Sequence, residues 1–378
     1  MIEKVYLDNA ATTRVDPNVV VVMMDCLRKN YGNPSSIHSF GRKSRALIES
    51  SRRKIAKLIN ASPSEIFFTS GGTEADNMAI RGAVRDAGVK NIITSKIEHP
   101  AVLNTVINLE KQNKISLHYV NLNDSGEVDL FHLESLLKNH QKCLVSLMHA
   151  NNEIGNLLPI EKVSTLCVKH NALFHSDTVQ TIAHLSIDVK ETPIDFLVCS
   201  AHKFHGPKGV GFLYVNNKIN ITPLIYGGSQ EKNMRGGTEY VYGIVGLAKA
   251  MEIAFSKMSL HHEHILKLKK HMISKLNHLI PVISFNGLSS NNYKSLYTVL
   301  SISIPKFNNS DLLLFNLDLF GIACSGGSAC SSGSSKLSHV ISEINKDKND
   351  IVVRFSFCKY NTLEEIDYVV EKLRYLLD

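Results

Sequence analysis

A lysine directly after an apolar strand is the most chemically suggestive feature of this sequence: Ser200-Ala-His-Lys203 closes the run FLVCS at 196–200. An interior setting lowers an ammonium pKa and favours the neutral amine that condenses with a carbonyl, so Lys203 is the candidate Schiff-base residue. Taken alone, it also reads as a solvated lysine in a turn. Upstream, IFFT at 66–69 runs through Ser70-Gly-Gly-Thr73 into helical sequence, the arrangement that offers free backbone N–H groups to a phosphate; Gly72 and Thr73 are the candidate contacts. No GK[ST] follows, which argues against a nucleotide P-loop, and Gly206-Pro-Lys-Gly-Val-Gly211 enters a strand rather than opening a helix, unlike a dinucleotide turn. Asp177 leaves the end of another apolar strand, where a carboxylate can keep a pyridinium nitrogen protonated and make the ring an electron sink. A helix N-cap is its plainer reading.

Three further residues have chemistry to offer. His99 in Glu-His-Pro and Asn152 in Ala-Asn-Asn-Glu sit just past apolar runs, placed for ring stacking or proton transfer and for an amide contact, although both also suit ordinary turns. Cys330 lies in Ser325-Gly-Gly-Ser-Ala-Cys-Ser-Ser-Gly-Ser-Ser-Lys336, too rich in Ser and Gly for a core, so an exposed and mobile thiol is expected there. Cys143 and Cys199, inside apolar runs, read as inert packing residues.

These residues must be held by a scaffold of alternating strands and helices. Short apolar runs at 66–68, 91–95, 115–120, 144–150, 172–176, 196–200 and 210–215 are separated by helical stretches. That alternation predicts an α/β fold, a large domain built on a mostly parallel sheet whose ligands collect at the strands' carboxyl ends. From about Val241 a long helical pattern leads to strands at 282–285, 298–304 and 351–357 and a closing amphipathic helix, a smaller α+β domain. The expected division is 1–15 joining the small domain, 16–250 as the large domain, and 251–378 as the small domain with a cysteine loop at about 323–336.

A chain of 378 residues, 44% of them hydrophobic, supports a large core. The 42 Lys and Arg against 35 Asp and Glu leave a charge of +7, but the basic residues are scattered and form no nucleic-acid stripe. Seven cysteines without a CxxC pair suit a reducing compartment, and with no apolar leader or membrane-length run the expected location is the cytoplasm.

Taken together, the segments resemble the cysteine desulfurases of the NifS/IscS type, within the class-V aminotransferases and the aspartate-aminotransferase-like fold (type I) of pyridoxal phosphate enzymes. The resemblance spans essentially the whole chain, through Tyr6-Leu-Asp-Asn-Ala-Ala-Thr-Thr13, Gly32-Asn-Pro-Ser-Ser-Ile-His38, Thr69-Ser-Gly-Gly-Thr-Glu74 and Asn151-Asn-Glu-Ile-Gly155. It continues through Ser200-Ala-His-Lys203, Arg235-Gly-Gly-Thr238, Ser328-Ala-Cys-Ser-Ser-Gly333 and Val353-Arg-Phe-Ser356. It implies pyridoxal 5'-phosphate on Lys203, His99 stacked on the ring as a proton carrier, Asp177 at the pyridine nitrogen, Gln180 at the phenolic oxygen, and Asn152 near cofactor or substrate. Gly72, Thr73, Ser200 and His202 would hold the phosphate, Thr238 would reach the phosphate of a neighbouring subunit in a homodimer, and Arg354 would bind the carboxylate of L-cysteine.

The reaction so implied converts L-cysteine to L-alanine, with the sulfur taken by Cys330 as a persulfide and passed to an acceptor such as an iron–sulfur scaffold or a tRNA-thiolation carrier. Three positions depart from the pattern: Tyr240 where a small polar residue is usual, Cys324 where a small apolar one is, and Cys358 in place of glycine. A tolerated interface aromatic and two packing thiols are the expected roles. An aminotransferase or a kynureninase-like hydrolase would need Lys203, Asp177 and His99 but not Cys330.

Overall fold

The structure is a computed structural model that describes residues 4–307, 310–326, 338–344 and 350–377. In chain order its elements are β1 (Val5–Tyr6), α1 (Pro17–Lys29), α2 (Ser39–Leu58), β2 (Ile66–Thr69), α3 (Gly72–Asp86), β3 (Asn91–Thr94), α4 (Pro100–Lys111), β4 (Ser116–Tyr119), α5 (Leu130–Asn139) and β5 (Cys143–Ser146). Next come α6 (Ile160–Lys169), β6 (Leu173–Asp177), β7 (Phe196–Ser200), β8 (Gly211–Val215), α7 (Val241–Ser256), α8 (Met258–Leu279), β9 (Ser284–Phe285) and β10 (Val299–Ile304). The chain ends with α9 (Leu313–Leu319), β11 (Ile322–Ala323), α10 (His339–Ile344), β12 (Ile351–Ser356) and α11 (Leu363–Leu377).

The apolar runs of the first part assemble into one seven-stranded sheet, ordered β2-β8-β7-β6-β5-β3-β4. Strands β4, β3, β5, β6 and β7 are parallel, while β8 runs antiparallel to both β7 and β2. Only residues 201–210 connect β7 to β8, too few for a helical crossover, so the chain must turn back on itself there. Successive side chains divide between two covered faces: Phe196 and Val198 pack with α3 and α4, whereas Leu197 and Cys199 pack with the core that includes α1, α2 and α7. Burial on both faces explains why these strands read as continuous apolar runs.

A second sheet, β12-β10-β9, is antiparallel and packs through Val299, Ile302, Val353 and Phe355 against Leu268 and Met272 of α8 and Val369 and Leu373 of α11. Val5, Leu7 and Ala10 share this core, and β1 pairs in parallel with β11. Two-residue β1 and β11 carry no period-2 signal, so the sequence did not mark them as strands; of the run at 282–285, only Ser284 and Phe285 enter the ladder. Among the described residues no helix is long and apolar enough to cross a membrane, and no cluster of His, Cys, Asp and Glu could hold a metal ion.

Candidate active site

The carboxyl ends of β2, β6 and β7 meet beside the amino end of α3, and the N-terminal segment Asp8–Thr13 folds over that junction. Lys203 follows β7 in a short 3-10 turn. Its Nζ donates to the carbonyls of Ala10 and Ala11 at 2.7 and 2.9 Å, and Gln180 Nε2 donates to the same Ala10 oxygen at 3.1 Å. His202 is held alongside: its carbonyl accepts from Thr13, and its Nδ1 lies 3.1 Å from Thr12 Oγ1. Burial pushes the His202 imidazole down to about 4, helped by Lys203 and Lys208.

Asp177 ends β6 and no helix follows. Its Oδ1 accepts from Val179 N in an Asx turn, so the helix-cap reading does not hold. The carboxyl is buried, which raises its pKa, while His99, the Val179 N–H and Lys203 act in the opposite direction. His99 is itself the N-cap of α4, its Nδ1 accepting from Ala101 N at 3.1 Å ahead of Pro100. That bond assigns the proton of the neutral imidazole to Nε2. Burial lowers the His99 pKa and Lys203 adds to the effect, whereas Asp177 opposes it.

The phosphate candidates meet in one open cleft, where Gly72, Thr73, Ser200 and His202 stand with Gly71, Thr12 and Lys208. Helix α3 has no side-chain cap, because its cap position is Gly71 at φ +149°, a conformation open to glycine alone. A Cβ on Gly72 would lie 2.8 Å from Val179 Cγ2, so glycine also lets the helix approach the Asp177 turn closely. The uncapped N–H groups, the hydroxyls and Lys208 suit a phosphate. Glu74 is engaged elsewhere, on Ser70 N and Arg235; burial pushes its pKa up, but these contacts together outweigh it and hold the carboxyl below its ordinary value.

Arg354 arrives from β12 and is 1% exposed. Its Nη1 donates to the Asn152 carbonyl and its Nη2 to Asp8 Oδ1, each at 2.9 Å, while its Nε is buried with no partner among the described residues. An orphaned guanidinium N–H beside the junction fits a carboxylate still to be bound. Asn152 therefore contributes its backbone here, and Asn151 holds the turn by accepting from Glu153 N and Ile154 N.

Thr238 is exposed and lines a different cleft with Thr69, Tyr240 and Arg235, and so is not brought to its own chain's phosphate cleft. The loop before it is anchored by a buried ion pair, Arg52 to Glu231 at 2.9 Å, with Glu231, Lys232 and Asn233 all at positive φ. Tyr240 lies across Gly243, where a Cβ would meet its ring at 2.1 Å. Cys330 lies outside the described residues, as does most of the loop expected at 323–336. Burial pushes the Cys324 thiol up to about 12 and raises that of Cys358, so neither is poised as a thiolate. Residue-by-residue reading missed the Ala10 and Ala11 carbonyls, Asp8 and Lys208. The first three lie in the motif Tyr6–Thr13, the one signal that could have pointed to them.

Three comparisons bear on this arrangement. The model of the family described as "Aminotransferase class-V" matches residues 5–369. A relative from Dictyoglomus turgidum named "Cysteine desulfurase IscS" is 43% identical, covering 100% of this chain and 95% of its own. Among solved structures, a "NIFS-like protein" superposes with a TM-score of 0.90 at 38% identity over 99% of each chain. Another, "SspA in complex with cysteine", does so at 0.79 and 31% identity, covering 94% of this chain and 99% of that one.

Proposed function

Since this chain belongs to the class-V aminotransferase family, we infer that it is a pyridoxal phosphate-dependent cysteine desulfurase. The observation that carries this is the convergence of Lys203, the buried Asp177 and the uncapped amino end of α3 at one end of one sheet. When bound, the cofactor supplies an electron sink for charge that develops on the substrate. Lys203 is the amine that would hold it, with Asp177 serving its ring nitrogen, Gln180 its phenolic oxygen and His99 its ring. Gly72, Thr73, Ser200 and His202, which line one cleft, would bind the phosphate.

Arg354, aided by Asn152, orients the carboxylate of L-cysteine, and Asp8 fixes the guanidinium plane from the other side. The Cys330 thiolate attacks the substrate sulfur: an S–S bond forms as the C–S bond breaks, and the electron pair left on carbon is protonated to give L-alanine. The balance is L-cysteine plus a thiol going to L-alanine plus a persulfide. The exposed position of Thr238, away from its own phosphate cleft, supports a homodimer in which it reaches the phosphate of a second copy. The sharing of one core by Val5, Leu7 and β10 supports a small domain of 251–378 joined by 1–15, beside a large domain of 16–250. The persulfide then serves a cytoplasmic acceptor, an iron–sulfur scaffold or a thiolation carrier.

A single turnover with L-cysteine and no reductant tests this. Alanine formed in step with persulfide, both lost in Cys330→Ser, is expected; pyruvate or an aminated cofactor, unaffected by the substitution, would replace it with a lyase or transaminase.

A further inference from the structure

Beneath the ring-facing end of the sheet lies a cluster that the proposed chemistry does not use. On β6, His175 and Asp177 are two residues apart and so point to the same face, the one covered by α3. From α3, Asp76 reaches down to them, one turn below the phosphate-binding amino end. His175 and Asp76 are 0% and 1% exposed. His175 Nδ1 lies 2.8 Å from Ser146 Oγ on β5, and its Nε2 lies 3.3 Å from Asp76 Oδ1. The approach is not itself an aligned hydrogen bond, and neither Nε2 nor Oδ1 has a hydrogen-bond partner among the described residues. Two orphaned buried polar atoms facing each other are a costly arrangement unless a proton lies between them.

The surrounding charges decide where that proton belongs. Asp76 feels the carboxyls of Asp177 and Glu98 and, among the described residues, no Lys or Arg. Asp177 faces His99 and Lys203. Glu98 is buried with one oxygen on Met148 N, and Cys199 on the neighbouring strand is a thiol. Several buried carboxylates at close quarters cannot all be ionised, and the negative charge settles on the one nearest the cations. Burial likewise disfavours an imidazolium at His175.

We propose that Asp76, as a carboxylic acid, donates to His175 Nε2 while His175 Nδ1–H donates to Ser146, forming a neutral positioning pair that leaves Asp177 the anion of the cluster. The pair does two things at once. It bolts the phosphate-binding helix to the strand that carries Asp177, and it keeps a second negative charge from competing for the protonated ring nitrogen. This rests on the assignment of Asp177 to the ring.

Infrared difference spectra of the holoenzyme, Asp76→Asn against wild type in H2O and D2O at pH 8, test the proton directly. A carboxylic-acid carbonyl band that shifts in D2O and disappears in Asp76→Asn, but survives in Glu98→Gln, is expected. Absence of any such band assignable to Asp76 would overturn the proposal. For the functional part, Asp76→Asn, which can still donate to Nε2, keeps cofactor affinity within about twofold, whereas Asp76→Ala weakens it about tenfold. The pH titration of the lysine-bound cofactor's absorbance superimposes for Asp76→Asn and wild type, because no charge was removed; a displacement of about one unit or more would show that Asp76 is ionised and end the proposal. If wild type shows no cofactor absorbance, the assignment of Asp177 fails, while the infrared band still reports on Asp76 and His175.

Discussion

Apart from the Arg52–Glu231 ion pair, the two packed bodies of this molecule bury ionisable groups of opposite type. The seven-stranded sheet encloses Asp76, Glu98 and Asp177 at its carboxyl end, and the three-stranded sheet with its helices encloses Arg354 and Lys269. Burial raises all three carboxyls, with Asp177 adding to the effect at Asp76 and Glu98 while His99 and Lys203 oppose it at Asp177, and the amine of Lys269 is pushed by burial down to about 7. Groups buried without full pairing cost stability, and both bodies bear that cost where a ligand of the opposite sign is expected: a protonated ring over Asp177, a carboxylate against Arg354. Lys269 is the exception that shows the difference between function and structure. It donates to Ser295 Oγ and the Leu296 carbonyl at 2.7 and 3.0 Å, and among the described residues no carboxylate pairs with it. Its work is to tie α8 to the chain entering β10.

Altering the acid side gives the largest expected effect. Asp177→Asn lowers kcat on the order of 10²-fold while leaving the fold intact, since an amide cannot stabilise a ring proton; steady-state rates with L-cysteine beside thermal melts would check it. An unchanged kcat would erase the functional half of the contrast.

On the basic side, Lys269→Met tests the structural exception. A lysine whose folded pKa is near 7 must lose its proton on folding at any pH between there and its unfolded value, so the unfolded chain binds more protons and wild-type stability rises with pH across that window. Methionine has no proton to lose. The variant's stability relative to wild type should therefore be greater at pH 7 than at pH 10, by on the order of 3 kcal/mol, in urea titrations at the two pH values.

Arg354→Lys comes next. An ammonium cannot serve Asp8, the Asn152 carbonyl and a bidentate carboxylate together, so KM for L-cysteine should rise by about tenfold or more, with cofactor affinity unchanged. The smallest effect belongs to an exposed cation. Lys208→Ala should weaken cofactor binding only about two- to fivefold at low salt and less at high salt, read from cofactor release, because solvent screens what burial would have magnified.

Local sequence specified much of this. The seven apolar runs became the sheet, the Ser-Gly-Gly-Thr turn opened α3, and Lys203 and Asp177 both stood at strand ends because apolar strands are bounded by the first residue that prefers water or a turn. Each such feature is encoded within a dozen residues and survives without knowledge of the rest of the chain. The partnerships were not encoded that way. Ala10 under Lys203, Asp8 on Arg354, and Asp76 against His175 join residues about a hundred to nearly three hundred and fifty positions apart. No periodicity marks them, since they depend on which strand ends become neighbours. The charge each buried group carries was decided at the same level: a carboxyl's protonation follows from its desolvation and its neighbours, and both exist only once the sheet, α3 and the N-terminal segment have closed on one another.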